Sequence, residues 1–167
     1  VYQTYWQRLF SAGAMDFDDL IYNTVRLLDE HEDVREHWQR RFRYVLIDEY
    51  QDTNNLQYQL AALLADGWGN ICVVGDDDQS IYKFRGATIE NILNFEKQYK
   101  NARTIRLEQN YRSTGRILDA ANHVIANNTG RKGKTLWTKA EAGDPLTLYC
   151  ATNENDEARY VATKIMD

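Results

Sequence analysis

The sequence predicts an α/β fold with a mainly parallel sheet and flanking helices, and two observations carry that prediction. Short runs rich in β-branched residues alternate with longer segments of helical periodicity. Two of these runs, "YVLIDE" and "ICVVGDDD", end in acidic residues. Alternating strands and helices favour a layered fold in which parallel strands end at a common edge. We expect the functional side chains at that edge.

The individual elements follow from periodicity and from capping residues. The first forty residues contain no strand pattern and are expected to be helical and peripheral. Thr88 and Ser113 are predicted to cap the helices that follow them. The predicted elements, in chain order, are a helix at 16–31, a strand at 44–48, a helix at 56–66, a strand at 70–75, a helix at 89–99, a strand at 102–108, a helix at 113–128, a strand at 146–150 and a helix at 155–166.

Composition restricts the class of protein. The chain has 167 residues, 43% of them hydrophobic, and a net charge of −5, so nucleic acid would have to bind a local patch. No apolar run approaches the roughly 18 residues of a membrane span, which favours a soluble, cytoplasmic protein without membrane contact. Cys72 and Cys150 lie in short apolar runs and are predicted to be reduced core residues.

The first acidic strand end, "YVLIDEYQDT", predicts phosphate chemistry. An acid in the position of Asp48 can hold Mg²⁺, and a neighbouring carboxylate such as Glu49 can deprotonate an attacking water. The pattern is short, however, and also fits a strand that simply ends in solvated acids.

The second strand end continues into the loop "GDDDQSIYKFRGA", which is acidic at its start and aromatic and basic at its end. Together with "DEYQDT", with "LEQNYRS" at residues 107–113 and with "DFDDL" at 16–20, this loop resembles the motifs of superfamily-one DNA helicases of the UvrD/Rep/PcrA type, in the family's order. The tail from Gly143 is similar to the start of the family's second RecA-like domain. The resemblance implies the end of a first RecA-like domain at 1–106 and the start of a second at 107–167.

The resemblance also assigns roles to residues. It implies that Asp48 holds Mg²⁺ on ATP, that Glu49 is the catalytic base, and that Gln79 senses the γ-phosphate and couples its loss to the DNA site. In "NYRS", Tyr111 would stack on adenine and Arg112 would reach the γ-phosphate. Taken by itself, Arg112 also fits a surface ion pair.

The aromatic part of the loop is implied to contact single-stranded DNA through Tyr82, Phe84 and Arg85. Rings stack on any base and so bind without reading sequence. Many family members have tryptophan where this chain has Phe84, so weaker stacking is expected. Alternating aromatics also fit core packing, and that alternative stays open at this point.

One segment nearly matches a phosphate-binding loop. "NTGRKGKT" (128–135) ends like G-x-x-x-x-G-K-[ST], but Asn128 replaces the first glycine and a helix precedes it, so we reject it. Its cations, with Lys139, are expected to form a solvated basic loop near DNA phosphates. Without that phosphate site we expect the chain to be an internal fragment that hydrolyses no ATP alone.

The implied function is therefore part of an ATP-dependent 3′–5′ DNA helicase of repair or replication, acting on single strands and duplex junctions with repair or replication proteins as partners. Two alternatives remain. One is the helicase part of an AddA/RecB-type helicase–nuclease, which usually replaces the middle acids of "GDDDQSIY". The other is a non-catalytic DNA- or protein-binding module.

Overall fold

Helices and a small parallel sheet make up the computed structural model, which describes residues 1–167. The elements are α1 (Tyr2–Ser11), α2 (Phe17–Glu30), α3 (Glu32–Arg41), β1 (Val45–Ile47), α4 (Asn55–Ala65), β2 (Ile71–Val73), α5 (Glu90–Leu93), α6 (Phe95–Gln98), α7 (Gly115–Ile125) and α8 (Glu154–Met166). Single 3₁₀ turns occur at Tyr50–Asp52, Asp77–Gln79 and Lys83–Arg85. None of the helices combines the length and apolarity needed to cross a membrane.

The chain divides into two units. The first contains Val1–Ile105 together with Gly130–Lys132, and the second contains Arg106–Thr129 and Gly133–Asp167. Each is described by itself.

Two helices of the first unit begin with reciprocal capping boxes. At α2, the Asp19 amide donates to Asp16 Oδ1 (2.9 Å) and the Asp16 amide donates to Asp19 Oδ2 (3.2 Å). At α4, Asn54 and Gln57 make the same exchange at 2.9 and 3.0 Å. Such caps satisfy amides that have no partner within the helix, so both helices begin close to where the sequence predicts.

The core of the first unit lies between α2 and α4. Val25 and Leu28 of α2 are buried, as are Ala61 and Ala65 of α4, and α3 packs against both helices. Burying a leucine such as Leu28 contributes roughly 1.5–3 kcal/mol. The early helices were predicted correctly, but α2 is central to the core and not peripheral.

The two strands form a parallel pair with α4 as the crossover. Val45 lies opposite Ile71 and Ile47 opposite Val73. Side chains alternate between faces along a strand. Leu46 and Cys72, on the opposite face from these four, are exposed.

Both cysteines are free, as expected, but both are exposed. Their predicted place in the core is wrong. Cys72 falls on the exposed face of the sheet, and Cys150 lies in a segment that joins no sheet.

Two predicted strands are absent from the sheet. Residues 102–108 and 146–150 pair with no other strand, and Gln109 makes only an isolated bridge to Trp137. A β-rich run forms a strand only where a neighbour accepts its backbone hydrogen bonds. The sheet therefore has two strands and not the larger number predicted.

Both predicted helix caps are also wrong. The helix expected at 89–99 is divided at Asn94 into α5 and α6, and Thr88 provides no side-chain cap. Helix α7 begins at Gly115 after Thr114, where the Gly115 amide donates to the carbonyl oxygen of Glu141 (3.0 Å). A backbone carbonyl takes the place of the predicted Ser113 cap.

Side-chain hydrogen bonds to backbone help to hold the second unit together. The Asn122 amide group pairs with both backbone groups of Leu136, at 2.8 and 3.1 Å. Leu118 is its buried apolar side chain. At α8, Asn153 caps the first turn, and the Tyr149 and Tyr160 rings stack with centroids 3.9 Å apart.

Candidate active site

The acids that follow the two strands leave the sheet at one edge. Asp48 and Glu49 come directly after β1, and Asp76 follows β2 after two residues. Because Ile47 and Val73 are opposite each other in parallel strands, both segments emerge side by side.

Glu49 has a strained backbone. Its φ and ψ are 50° and 41°, and no other non-glycine residue has a positive φ. Such a conformation costs about 1–3 kcal/mol and tends to occur at functional sites. Hydrogen bonds fix it on the C-terminal side: the Tyr50 amide donates to the Val74 carbonyl (3.0 Å), and the Asp52 amide donates to the Glu49 carbonyl (2.9 Å). The turn leaves the Glu49 side chain exposed at the sheet edge.

Tyr50 anchors this turn in the interior. It is 1% exposed, and its ring meets Phe95 edge to face at 5.9 Å. Burial, followed by the nearby Tyr99 and Tyr58, raises the pKa of Tyr50 to about 12. The phenol is neutral at neutral pH, so Tyr50 is a structural anchor for the acidic turn.

Asp48 suits a metal site in which phosphates and waters supply most of the ligands. Its side chain is exposed, with Oδ1 accepting the Glu49 amide at 2.9 Å. No group of three or more His, Cys, Asp or Glu side chains converges in the structure. Protein-bound Mg²⁺ typically uses one or two carboxylates, with phosphates and waters completing its shell. The donors at this edge fit that arrangement and not an all-protein cage.

The segment after β2, residues 74–86, is the acidic–aromatic loop, and its first part (74–80) is the acidic half. Asp76 organises this half: Oδ1 accepts the Asp78 amide at 3.0 Å, and Oδ2 accepts Gln79 Nε2 at 2.7 Å. The Asp76 amide donates to the buried Gln51 Oε1 at 2.9 Å. The acidic half is thereby joined to the turn that carries Glu49.

The far end of the loop is attached to the same turn. The Thr88 amide donates to the Thr53 carbonyl at 3.0 Å, and Asn91 Nδ2 reaches both Thr53 oxygens at 3.2 Å. Thr53 is buried, and so is Ala87 beside the attachment. The loop is therefore held at both ends by residues 49–53.

Between these attachments lies the aromatic half, residues 81–86, which is exposed. Phe84 is 78% exposed and Tyr82 is 37% exposed, with ring centroids 5.9 Å apart. The guanidinium carbon of Arg85 lies 5.1 Å from the Tyr82 centroid and 5.5 Å from that of Phe84. The core-packing alternative does not account for Phe84, since its ring is largely in solvent.

The expectation that Arg131 and Lys132 form a solvated basic loop is wrong. Both belong to the first unit. Arg131 makes a bidentate pair with Asp78, at 2.7 and 2.6 Å, with the two side chains 15% and 11% exposed. The Lys132 amide donates to Asp77 Oδ2 at 2.6 Å. The hydrogen bond to Asp78 is also the main cause of the raised pKa of Arg131.

The segment 128–135 is not a phosphate-binding loop, as its sequence predicts. No helix begins directly after Thr135, and the preceding element is helix α7 and not a strand.

In the second unit, "NYRS" forms a side-chain-capped turn. Asn110 Oδ1 accepts the amides of Arg112 (2.9 Å) and Ser113 (2.8 Å). Tyr111 is 85% exposed, and Arg112 is exposed too. Asn110 fixes the turn and leaves both functional candidates in solvent.

The structure thus brings some predicted residues together. Glu49 and Gln79 belong to one hydrogen-bonded region next to Asp48, and Tyr82, Phe84 and Arg85 form one cluster. Two residues of this region were not predicted. Gln51 had only one signal, a neutral amide among acids, and nothing in the run of three acids distinguishes Asp76 as the one whose two oxygens are bonded.

The chain is similar in sequence to known helicases. Residues 1–100 match the family model of the UvrD/REP helicase N-terminal domain, and residues 105–167 match that of the UvrD-like helicase C-terminal domain. The matches to two relatives each cover 99% of the chain. The chain is 56% identical to ATP-dependent DNA helicase UvrD1 of Mycobacterium tuberculosis and 54% identical to ATP-dependent DNA helicase PcrA of Bacillus subtilis. It is 53% identical to PcrA of Staphylococcus epidermidis. The chain spans 22–23% of the length of these relatives.

Proposed function

Because the chain belongs to the UvrD/REP helicase family, we propose that it forms the part of an ATP-dependent DNA helicase in which nucleotide hydrolysis is coupled to movement on single-stranded DNA. The relatives are named ATP-dependent DNA helicases, and identity extends across the whole chain. The proposal includes 3′–5′ movement, action at duplex junctions, and a role in DNA repair or replication in the cytoplasm.

The nucleotide chemistry is assigned to the edge of the sheet. Asp48 would hold Mg²⁺, which supplies charge neutralisation on the β- and γ-phosphates when bound. Glu49 would accept a proton from the attacking water. Gln79 would detect the γ-phosphate, since an amide can both donate and accept a hydrogen bond. The strained, exposed position of Glu49 supports this assignment.

One observation carries the proposal: the loop with the exposed rings is attached at both ends to the turn that carries Glu49. Asp76 is bonded to Gln51 at one end, and Thr88 to Thr53 at the other. A displacement on either side would have a short, hydrogen-bonded route to the other. Such an arrangement suits a coupling role better than two separate sites would.

DNA binding is assigned to the aromatic half. Tyr82 and Phe84 would stack on bases and Arg85 would contact the strand, which suits binding without sequence preference. Their exposure and mutual contact support the assignment.

The second unit would contribute to nucleotide binding. We assign adenine stacking to Tyr111 and transition-state charge neutralisation to Arg112, both exposed on the turn that Asn110 fixes. We further propose that residues 1–106 and 107–167 are parts of two successive RecA-like domains.

The other candidate functions are less well supported. A helicase–nuclease of the AddA/RecB type would share the fold. Two observations favour a helicase of the UvrD/Rep/PcrA type instead: the identity to UvrD1 and PcrA helicases, and the intact acidic run Asp76–Asp78. A non-catalytic module would give no reason for the strained Glu49 backbone.

The proposal is tested in the full-length protein that carries this chain, by measuring ATP hydrolysis with and without single-stranded DNA and unwinding of a tailed duplex. We expect hydrolysis stimulated by DNA, and unwinding that needs a 3′ single-stranded tail. DNA binding without hydrolysis would support the non-catalytic module and contradict the proposal.

A further inference from the structure

Gln51 is a buried polar side chain at the centre of the candidate site. It is 1% exposed and lies in the turn after β1, two residues beyond Glu49. Buried polar groups are nearly always hydrogen-bonded, and losing a partner costs about 1–3 kcal/mol. The partners of Gln51 therefore indicate what it does.

Both ends of the Gln51 amide group are bonded, and to different segments. Nε2 donates to Glu49 Oε2 at 2.8 Å, and Oε1 accepts the Asp76 amide at 2.9 Å. Asp76 in turn accepts Gln79 Nε2 at 2.7 Å. Three consecutive hydrogen bonds thus lead from the carboxylate of Glu49 to the side chain of Gln79.

The surroundings keep Gln51 in place. A Cβ atom at Gly75 would lie 2.5 Å from Gln51 Oε1 and 3.1 Å from the Tyr50 nitrogen, so a side chain there would displace the amide. Ser80 Oγ also donates to the Gln51 carbonyl at 3.4 Å. The glycine allows the backbone of the acidic half to approach Gln51.

We propose that Gln51 is a positioning residue that links the orientation of the Glu49 carboxylate to the position of Gln79; this rests on the proposed function. A side-chain amide is uncharged and offers both a donor to Glu49 and an acceptor to the Asp76 amide. A shift of Gln79 moves Asp76, and Asp76 moves the amide that holds Glu49. Gln51 itself need not touch nucleotide or DNA.

The first test compares kcat and nucleotide KM for Gln51→Glu in the full-length protein. The substitution keeps an acceptor for the Asp76 amide but replaces the donor to Glu49 with a carboxylate, and repulsion between the two should turn the Glu49 carboxylate away. We expect kcat to fall by at least about tenfold. Nucleotide KM should change little.

Gln39→Glu is the matched control. Gln39 also donates from Nε2, to the Leu63 carbonyl at 2.7 Å, and is half-buried in the same unit, but its partner is not a carboxylate. Its kcat should stay near the wild-type value. An unchanged kcat in folded Gln51→Glu, or equal losses in both variants, would overturn the proposal.

The second test does not depend on activity. Hydrogen exchange is measured over residues 74–80 in the wild type and in Gln51→Leu, with Gln51→Met as a substitute should the leucine variant fail to fold. Loss of the acceptor should speed exchange at Asp76 at least tenfold, with less change around α2. Unchanged exchange there contradicts the link. If the wild-type protein hydrolyses no ATP, only the proposed function is contradicted. The exchange measurement then still shows whether Gln51 holds the Asp76 amide.

The two tests are joined by the double variant Gln51→Leu/Gln79→Ala. If Gln51 acts through the same route as Gln79, the DNA-stimulated rate of the double variant should match that of Gln79→Ala. Multiplied losses would show two independent effects and would contradict the link.

Discussion

The two halves of the acidic–aromatic loop differ in how the rest of the molecule holds them. In the acidic half, Asp76 is bonded to Gln51 and Gln79, and Asp78 to Arg131. In the aromatic half, the Tyr82 and Phe84 rings contact each other and Arg85, and Phe84 is largely exposed while Tyr82 is partly exposed. The difference indicates that the acidic half needs a defined geometry, as chemistry does, while the aromatic half needs access, as ligand binding does.

The largest effect should come from the residue to which the acidic half is linked. Glu49→Gln in the full-length protein removes the proposed base and keeps the side-chain shape. We expect kcat to fall by about 10²–10⁴, with nucleotide affinity little changed, because only proton transfer is lost. Steady-state hydrolysis and nucleotide titrations measure the two quantities.

Glu90→Gln serves as the control for that variant, since Glu90 is an exposed residue in the first turn of α5. It should hydrolyse ATP at the wild-type rate. Parallel losses of binding and rate in Glu49→Gln would indicate a metal or folding role instead.

The next effect concerns the stability of the acidic half. Arg131→Ala removes the bidentate pair and leaves Asp78, which is 11% exposed, without that partner. Hydrogen bonds to charged groups contribute about 1.5–3 kcal/mol, so the free energy of unfolding should fall by about that amount. Thermal and urea melts measure it.

Lys139→Ala removes an exposed cation from the same basic segment and should change stability by no more than about 0.5 kcal/mol. If Arg131→Ala leaves stability intact but weakens DNA binding, the original expectation of a DNA-facing basic loop would be restored.

The aromatic half should show the opposite pattern. Phe84→Ala should weaken single-stranded DNA binding by about 1–3 kcal/mol with little sequence preference. Stability should hardly change, because the ring is 78% exposed. Fluorescence titrations beside thermal melts separate the two quantities.

Phe17→Ala removes another largely exposed ring, 90% in solvent, from the start of α2 and should not affect DNA binding. A stability loss of about 3–5 kcal/mol in Phe84→Ala would instead indicate core packing.

The smallest effect is expected at Arg85. Its guanidinium lies over both rings in an exposed setting, where such contacts contribute about 0.5–1 kcal/mol. Arg85→Gln should lower DNA affinity by that amount. If Arg85 contacts a phosphate, the slope of log affinity against log salt concentration should also become shallower by about one. An unchanged slope would show that Arg85 only orders the rings.

Local patterns in the sequence predicted much of this. Helical periodicity located α2 and α4, and apolar runs ending in acids located both strands and the edge at which Asp48 and Glu49 lie. The absence of the predicted strand at 102–108 could not be foreseen, because strand formation depends on a partner strand and not on the residues themselves.

Contacts distant in sequence were also beyond prediction. Arg131 and Asp78 are 53 residues apart, and nothing local marks them as a pair. Gln51 is part of the motif "DEYQDT", but its role depends on the backbone amide of Asp76, which lies near Gln51 only in the folded chain. The left-handed backbone of Glu49 is another such case, since glutamate has no preference for it.

The central claim is that the loop couples the nucleotide site to DNA, and Gln79 tests it most directly. The measurement is the affinity of the full-length protein for single-stranded DNA, with and without a non-hydrolysable ATP analogue, in the wild type and in Gln79→Ala. We predict that the analogue changes wild-type affinity by about 5–150-fold, while in Gln79→Ala the ratio falls to near one and DNA affinity without nucleotide is unaltered. A variant that keeps the wild-type ratio while saturated with analogue would contradict the account.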